Sequence, residues 1–439
     1  MKTMKAVAGS LLVLVLLSGA PATGTGSYEL IRQKSVALRN CSDAAGLVAA
    51  MPDARLVLLG ESTHGTSQYY RFRGEISKKL IAERGYSFIA VEGDWASIYK
   101  LNLYVKGIDR KSGSAREIMK CFNRWPEWMW ANEDVAELTE WLKEHNAGLP
   151  MGKRAGFYGI DVYGPWEALD SLLDYIKKNA PSRYAAIKEK AESFAGFGRD
   201  EIRYARWLAR GGAPADGKLK EITGFLIENR DSLSERGEDE YLNALQNALV
   251  LQGAEEFFRL SLVKGPHSWN SRVMHMNDTV NRLLDHYGPG SRGIVWAHNT
   301  HVGDSRATAM RGAGMVNIGK LSRQGLGREN VFIVGFSTYA GTVLAGSEWG
   351  SKALRMKIPE AAEGSMDRRL KKAREGDYFI LFDEETRSHP EFMSPAGHRA
   401  IGVVYDPLRE TGNYVPTILP ARYDAIVFFR STDALVPVR

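Results

Sequence analysis

The sequence predicts an α/β fold: a mostly parallel sheet with a large helical insertion. Three observations carry this. Short apolar runs recur, bounded by Gly or polar residues, and both faces of each run are apolar, as in strands buried on both sides. The stretches between them carry helical periodicity and are long enough for crossovers. From about 181 to 287 no such run occurs and the periodicity is helical throughout.

The elements follow in order. The run over 56–59 ends at Gly60-Glu61, that over 87–91 at Glu92-Gly93-Asp94, and that over 155–160 at Asp161. The fourth, 293–297, ends at His298-Asn299, and the fifth, 331–335, stops before Ser337-Thr338. Helices are expected over 68–84, 132–146 and 165–178. Glu133 and Asp134 suit the start of the second, where carboxylates meet the positive end of the helix dipole. Within the insertion, 184–210, 218–235, 238–263 and 267–287 read as helices, interrupted by Gly211-Gly212-Ala213-Pro214. The runs at 378–382, 400–404 and 425–429 read as further strands.

Composition sets the bounds. The chain has 439 residues, 44% of them hydrophobic and 25% charged, which excludes a disordered, collagenous or disulfide-stapled protein. Its length fits one large domain with insertions, or two domains. The net charge of +6 is spread among acids, as in Lys188-Glu189-Lys190. There is no basic stripe with interleaved aromatics, so no nucleic-acid partner is expected.

Residues 1–26 read as a signal peptide. Lys2 and Lys5 precede the apolar run Leu11-Leu12-Val13-Leu14-Val15-Leu16-Leu17, and small residues follow it. The run is short for a membrane anchor, and no Cys ends it as in a lipoprotein. The mature chain, 27–439, is expected to be secreted or periplasmic and free of the membrane. Cys41 and Cys121 either form one bridge in that compartment or remain two free buried thiols.

The chemistry gathers at strand ends. Glu61 and His64 follow the first strand, Glu92 the second, Asp161 the third, His298 and His301 the fourth. If these strands are neighbours, the crevice at their carboxyl ends collects three carboxylates and three imidazoles. An imidazole can take a proton from water near neutral pH, a carboxylate can fix its tautomer, and a second imidazole or an Arg can stabilise an oxyanion. That is a hydrolase without a covalent intermediate. No Gly-x-Ser-x-Gly elbow or His-Glu-x-x-His motif is present. Zinc or iron is the competing reading, since His298, His301, Glu61, His64 and Glu92 are acceptable ligands. His301 alone reads equally well as a hydrogen-bonded structural residue. His145, His286, His389 and His398 read as surface or structural. Trp125, Trp128 and Trp130 either wall a cleft for a bulky ligand or plug one end of the core.

These residues resemble the erythromycin esterase family. Gly60-Glu61-Ser62-Thr63-His64-Gly65 is similar to its leading motif, with Ser62 for the usual Ala. Arg71-Phe72-Arg73, Ile89-Ala90-Val91-Glu92, Asn102-Leu103-Tyr104-Val105, Trp128-Met129-Trp130-Ala131-Asn132-Glu133-Asp134-Val135 and Phe157-Tyr158-Gly159-Ile160-Asp161 follow in order. Val295-Trp296-Ala297-His298-Asn299-Thr300-His301 and Arg399-Ala400-Ile401-Gly402-Val403-Val404-Tyr405 complete the match.

The resemblance implies a three-layer α/β core and hydrolysis of the macrolactone ester of erythromycin-type antibiotics, a resistance activity. It implies His64 as general base, with Glu61, Arg73, Glu92, His298 and His301 as other catalytic positions. Trp128, Trp130, Asn132, Glu133, Asp161 and Arg272 are expected to bind substrate. The family often has Arg-Asp before a late His-Met; here Val273 follows Arg272, so Arg272 lacks that partner carboxylate. The expected partner is a small-molecule ester, with no cofactor and no metal. The alternatives are an esterase of the same mechanism acting on an acylated polysaccharide or another lactone, and a non-enzymatic metal- or haem-binding protein.

Overall fold

Residues 25–235 and 237–438 are described by a computed structural model. The expected leader lies outside the described residues except for Thr25 and Gly26, which open a helix over Thr25–Lys34. The strands are β1 (Val36–Leu38), β2 (Leu56–Leu59), β3 (Phe88–Asp94), β4 (Gly156–Asp161), β5 (Gly293–Trp296), β6 (Val331–Ala345), β7 (Leu354–Ile358), β8 (Asp377–Leu381), β9 (Ala396–Arg399), β10 (Tyr414–Thr417) and β11 (Ala425–Thr432).

One sheet runs in the order β1-β8-β11-β6-β2-β5-β3-β4, with β7 paired to the far end of β6. From β11 to β4 every neighbouring pair is parallel. The antiparallel pairs lie at one edge, β1 with β8 and β8 with β11. Alternation along each strand fills two cores. Val57, Leu59, Ile89 and Val91 face one layer, which contains the helices Ala44–Ala50, Ser67–Arg84 and Glu133–Ala147. Leu56, Leu58, Phe88 and Ala90 face the other, with the helices Thr25–Lys34, His267–His286 and Met366–Ala373. The core is therefore three-layered, helices on both faces of a parallel sheet.

The helix boundaries have local causes. Ser67–Arg84 stops at Gly85, whose left-handed φ of 68° lets its N–H return to Ile81 O. Glu133–Ala147 starts because the Asn132 side chain accepts from Val135 N. Between β4 and β5 the described chain is helical, and the longest helices there are Glu238–Leu260 and His267–His286. Leu172 and Ile176 of the helix Pro165–Asn179 pack with Leu219, Leu226 and Leu251 in a third core. Among the described residues no helix is long and apolar enough to cross a membrane.

Two expectations change. The apolar run at 400–404 is not a strand: β9 lies just before it, and only Ile401 and Val404 form isolated bridges, to Thr63 and Gly346. The backbone groups of that run are taken by loops of other elements, not by a ladder. β6 continues through Ser337 and Thr338 to Ala345, because Ser337 Oγ donates to the buried Asp367 carboxylate at 2.6 Å and so is satisfied inside the sheet. Cys41 and Cys121 are both free; Cys41 is half-buried and Cys121 exposed.

Candidate active site

β2, β5, β3 and β4 are consecutive in the sheet, so the four strand ends with ionisable residues do meet. The loop after β2 is held tightly. A Cβ on Gly65 would overlap the Leu344 carbonyl, and Gly65 O accepts from Leu344 N and Leu435 N, each at 3.0 Å. The loop presents Glu61 and His64. Glu61 Oε1 lies 2.8 Å from His64 Nδ1, and Glu61 Oε2 accepts from Arg73 Nη2 at 2.8 Å. Glu61 and Arg73 have no solvent exposure and His64 is 8% exposed. The Arg73 guanidinium lies 4.4 Å from the Tyr70 ring centre and 4.6 Å from that of Trp296, faces that help stabilise a buried cation. Glu61, as carboxylate, thus accepts a hydrogen bond from Nδ1–H of the neutral ring, which leaves the Nε2 lone pair of His64 available.

β3 and β4 supply the second group. Glu92 Oε1 lies 3.0 Å from Arg272 Nη2 and 3.2 Å from His301 Nε2, while Glu92 Oε2 accepts from His298 N at 2.8 Å. Asp161 receives Arg272 in a fork, Nε at 2.8 Å and Nη2 at 2.5 Å. The missing Asp after Arg272 is therefore a departure without consequence for its pairing: Asp161 and Glu92 are its partners, and Val273 is buried in the core. His301 stacks on Trp269 with ring centres 4.5 Å apart.

β5 supplies His298, whose ring centre lies 4.8 Å from that of His64. Its Nδ1 lies 2.8 Å from Thr300 Oγ1 and 3.3 Å from Thr300 N; with both groups donating to Nδ1, the neutral ring carries its proton on Nε2. That Nε2 is buried without a partner among the described residues.

The titrations diverge. Burial works to lower the His64 pKa, but the hydrogen bond to Glu61 and the charges of Glu92 and Glu61 outweigh it and raise it above the ordinary value. Burial, then the neighbouring His64, hold His298 well below it. Burial would raise Glu92, but His301, His64 and Arg272 keep its carboxyl well below the usual range. The pair of imidazoles is thus split into a basic ring and a neutral donor. Glu92, His64 and His301 are the groups a metal would draw on; among the described residues no three or more His, Cys, Asp or Glu are placed to hold one ion.

Four expected binding residues lie elsewhere. Trp128 and Trp130 are in the core beneath the sheet, and Trp130 donates Nε1–H to Glu92 O at 3.0 Å, so they plug the core instead of walling a cleft. Asn132 caps a helix and donates to Trp128 O and Met129 O. Glu133 pairs with Arg116 at 2.6 Å. Trp125, with two aromatics the sequence did not single out, takes the place of the wall. Tyr163, two residues past Asp161, lies 4.9 Å from the Arg272 guanidinium and 6.4 Å from Trp349, which is 57% exposed and 4.6 Å from Trp125. Only the position of Tyr163 after a strand end signalled its place.

Residues 81–432 match the erythromycin esterase family model, a span that includes Glu92, Asp161, Arg272, His298 and His301 and begins after the His64 loop. The Bacillus subtilis (strain 168) protein YbfO, described as a hydrolase, is 20% identical over 357 residues, covering 77% of each chain. A crystal structure described as a succinoglycan biosynthesis protein superposes with a TM-score of 0.76 at 19% identity, covering 95% of this chain and 100% of that one. A mutant of the erythromycin esterase EreC, in its open conformation, gives 0.62 at 17% identity, covering 86% of this chain and 91% of that one. With the family matched over most of its length, the chain belongs to the erythromycin esterase family and is a hydrolase.

Proposed function

We propose that this hydrolase cleaves the macrolactone ester of erythromycin-type antibiotics with a water activated by His64. The observation that carries the reading is the buried line Arg73–Glu61–His64, which orients one imidazole with its Nε2 free. His64 Nε2 takes a proton from water as the oxygen attacks the ester carbonyl. The negative charge forming on the carbonyl oxygen is met by His298 Nε2–H and by Arg272. Collapse expels the alkoxide, which recovers the proton from His64 and leaves as the alcohol. The aromatic rim of Tyr163, Trp125 and Trp349 suits a large ring. Export to the periplasm or medium, resting on the leader sequence, would place the enzyme where it meets an incoming antibiotic and lowers susceptibility.

The test is mass spectrometry of products from a macrolide panel. The expected product carries one added water, and His64→Asn lowers kcat by about 10²–10⁴ while the fold is retained. Hydrolysis of other lactones or acylated polysaccharides, with every macrolide untouched, would keep the chemistry and move the substrate. Wild-type kcat in His64→Asn would end the mechanism.

A further inference from the structure

The late motif Arg399-Ala400-Ile401-Gly402-Val403-Val404-Tyr405 bonds none of the reacting side chains, yet it bonds the backbone of the loop that carries His64. Its midpoint, Ile401, bonds the base loop at two points, flanking Thr63. Ile401 N donates to Ser62 O at 2.8 Å, and Ile401 O accepts from His64 N at 3.4 Å. Further along, Val403 O accepts from Gly346 N and Tyr405 N donates to Gly346 O, each at 2.9 Å. Gly346 opens the turn that carries Trp349. One strap therefore holds both the base and the aromatic rim.

The strap is fastened at both ends by one carboxylate. Glu410 Oε1 accepts from Arg399 Nε at 2.8 Å, and Glu410 Oε2 accepts from Tyr405 Oη at 2.5 Å. Arg399 and Tyr405 are buried, and Glu410 is 9% exposed. Arg399 is pinned further by Thr338 O, Tyr339 O and Pro359 O, and its N–H by Asp367 Oδ2. The Arg399 end is thus held many times over. At the Tyr405 end the ring is packed with Val343, Ala345 and Ile358, and the polar ties are the Tyr405 hydroxyl and Gly346. Tyr414 Oη also donates to Glu410 Oε1, at 3.0 Å, and helps aim the carboxylate.

We propose that Glu410, acting through Tyr405, is a positioning residue that sets the placement of His64 by clasping the two ends of the strap its loop hangs from. The inference rests on His64 being the base. A misplacement of the base by a fraction of an ångström to an ångström is enough to cost an order of magnitude or more in rate.

Tyr405→Phe keeps the buried ring and removes one half of the clasp; Glu410→Gln weakens both halves without changing shape. Each is compared with wild type on an accepted ester and by hydrogen exchange read by mass spectrometry. The expected result is a fall in kcat of about tenfold or more with KM nearly unchanged, and faster exchange in the peptide spanning 60–66 while β3 and β4 stay protected. Wild-type kcat, or an exchange increase spread evenly over the sheet, overturns the proposal. If the wild-type protein turns over no ester, the function proposed above fails on its own. The exchange arm then still decides whether the clasp governs the His64 loop, since unaltered exchange at 60–66 in both variants rejects it.

Discussion

Arg73 and Glu61 form an ion pair wholly inside the protein, at 2.8 Å. Removing one member leaves the other charge buried and alone, which costs about 3–5 kcal/mol. Arg73→Met is expected to lose stability on that scale in urea unfolding, and to lose activity beyond that, because Glu61 no longer holds His64. The acid limb of kcat/KM should lie above the ordinary imidazole range, since His64 must be neutral to act and its pKa is raised. Glu61→Gln removes the main hydrogen bond that raises it, so the limb should move to lower pH; an unmoved limb would mean that another group reports. Activity is expected to survive chelators, and loss that stoichiometric zinc restores would overturn the metal-free mechanism. At this scale the sequence was legible wherever chemistry sits at a strand end: Glu61, His64, Glu92, Asp161, His298. It was silent on Trp349 and left Trp128 open between cleft and core, because a loop aromatic facing solvent and one facing the core look alike until the sheet beneath them is placed.

The loop after β2 works because backbone meets backbone at Gly65. Gly65→Ala is expected to displace the loop from β6 and abolish turnover; crystallography or exchange at 60–66 would show the shift, and an active, undisplaced variant would refute it. Helices over 67–84, 133–147 and 165–179 were legible nearly to the residue, because Gly85, Asn132 and Pro165 mark their ends. The run at 400–404 was read as a strand because its apolar residues do pack inward, Ile401 with Val343, Ala345 and Ile358, but packing does not reveal which backbone its amides join. β1, β7, β9 and β10 escaped notice because short edge strands carry little apolar pattern.

For the whole molecule, pH acts through imidazoles in the interior, His398 buried and His275 partly so. Burial lowers His275 and His398 to about 4. Above their unfolded value both states are neutral and stability is full. As pH falls from about 6.5 to about 4, only the unfolded chain gains these protons, and each ring gives up about 3 kcal/mol. His64 runs the other way: its contribution is present in acid and fades as pH rises past its raised folded value. The urea midpoint should therefore drop between pH 6.5 and 4, and His275→Gln should flatten part of that drop; an equally steep fall would reject His275 as its source. N-terminal sequencing of exported protein is expected to find a start between Ala20 and Gly26, which spares Leu30 and Ile31, buried against the sheet. An intact Met1 in a membrane fraction would refute export. The convergence of four strand ends was the most legible global feature; their spatial order was not, because nothing local says that β5 slots between β2 and β3. That insertion has a cost in time. β2 finds both of its neighbours, β5 and β6, only after the whole helical segment has been made, so its pairings are among the longest-range in the chain. Such contacts form late and slowly. A nascent chain that ends before Gly293 leaves β2 with neither neighbour and β3 paired to β4 alone, apolar edges prone to aggregate until β5 and β6 arrive.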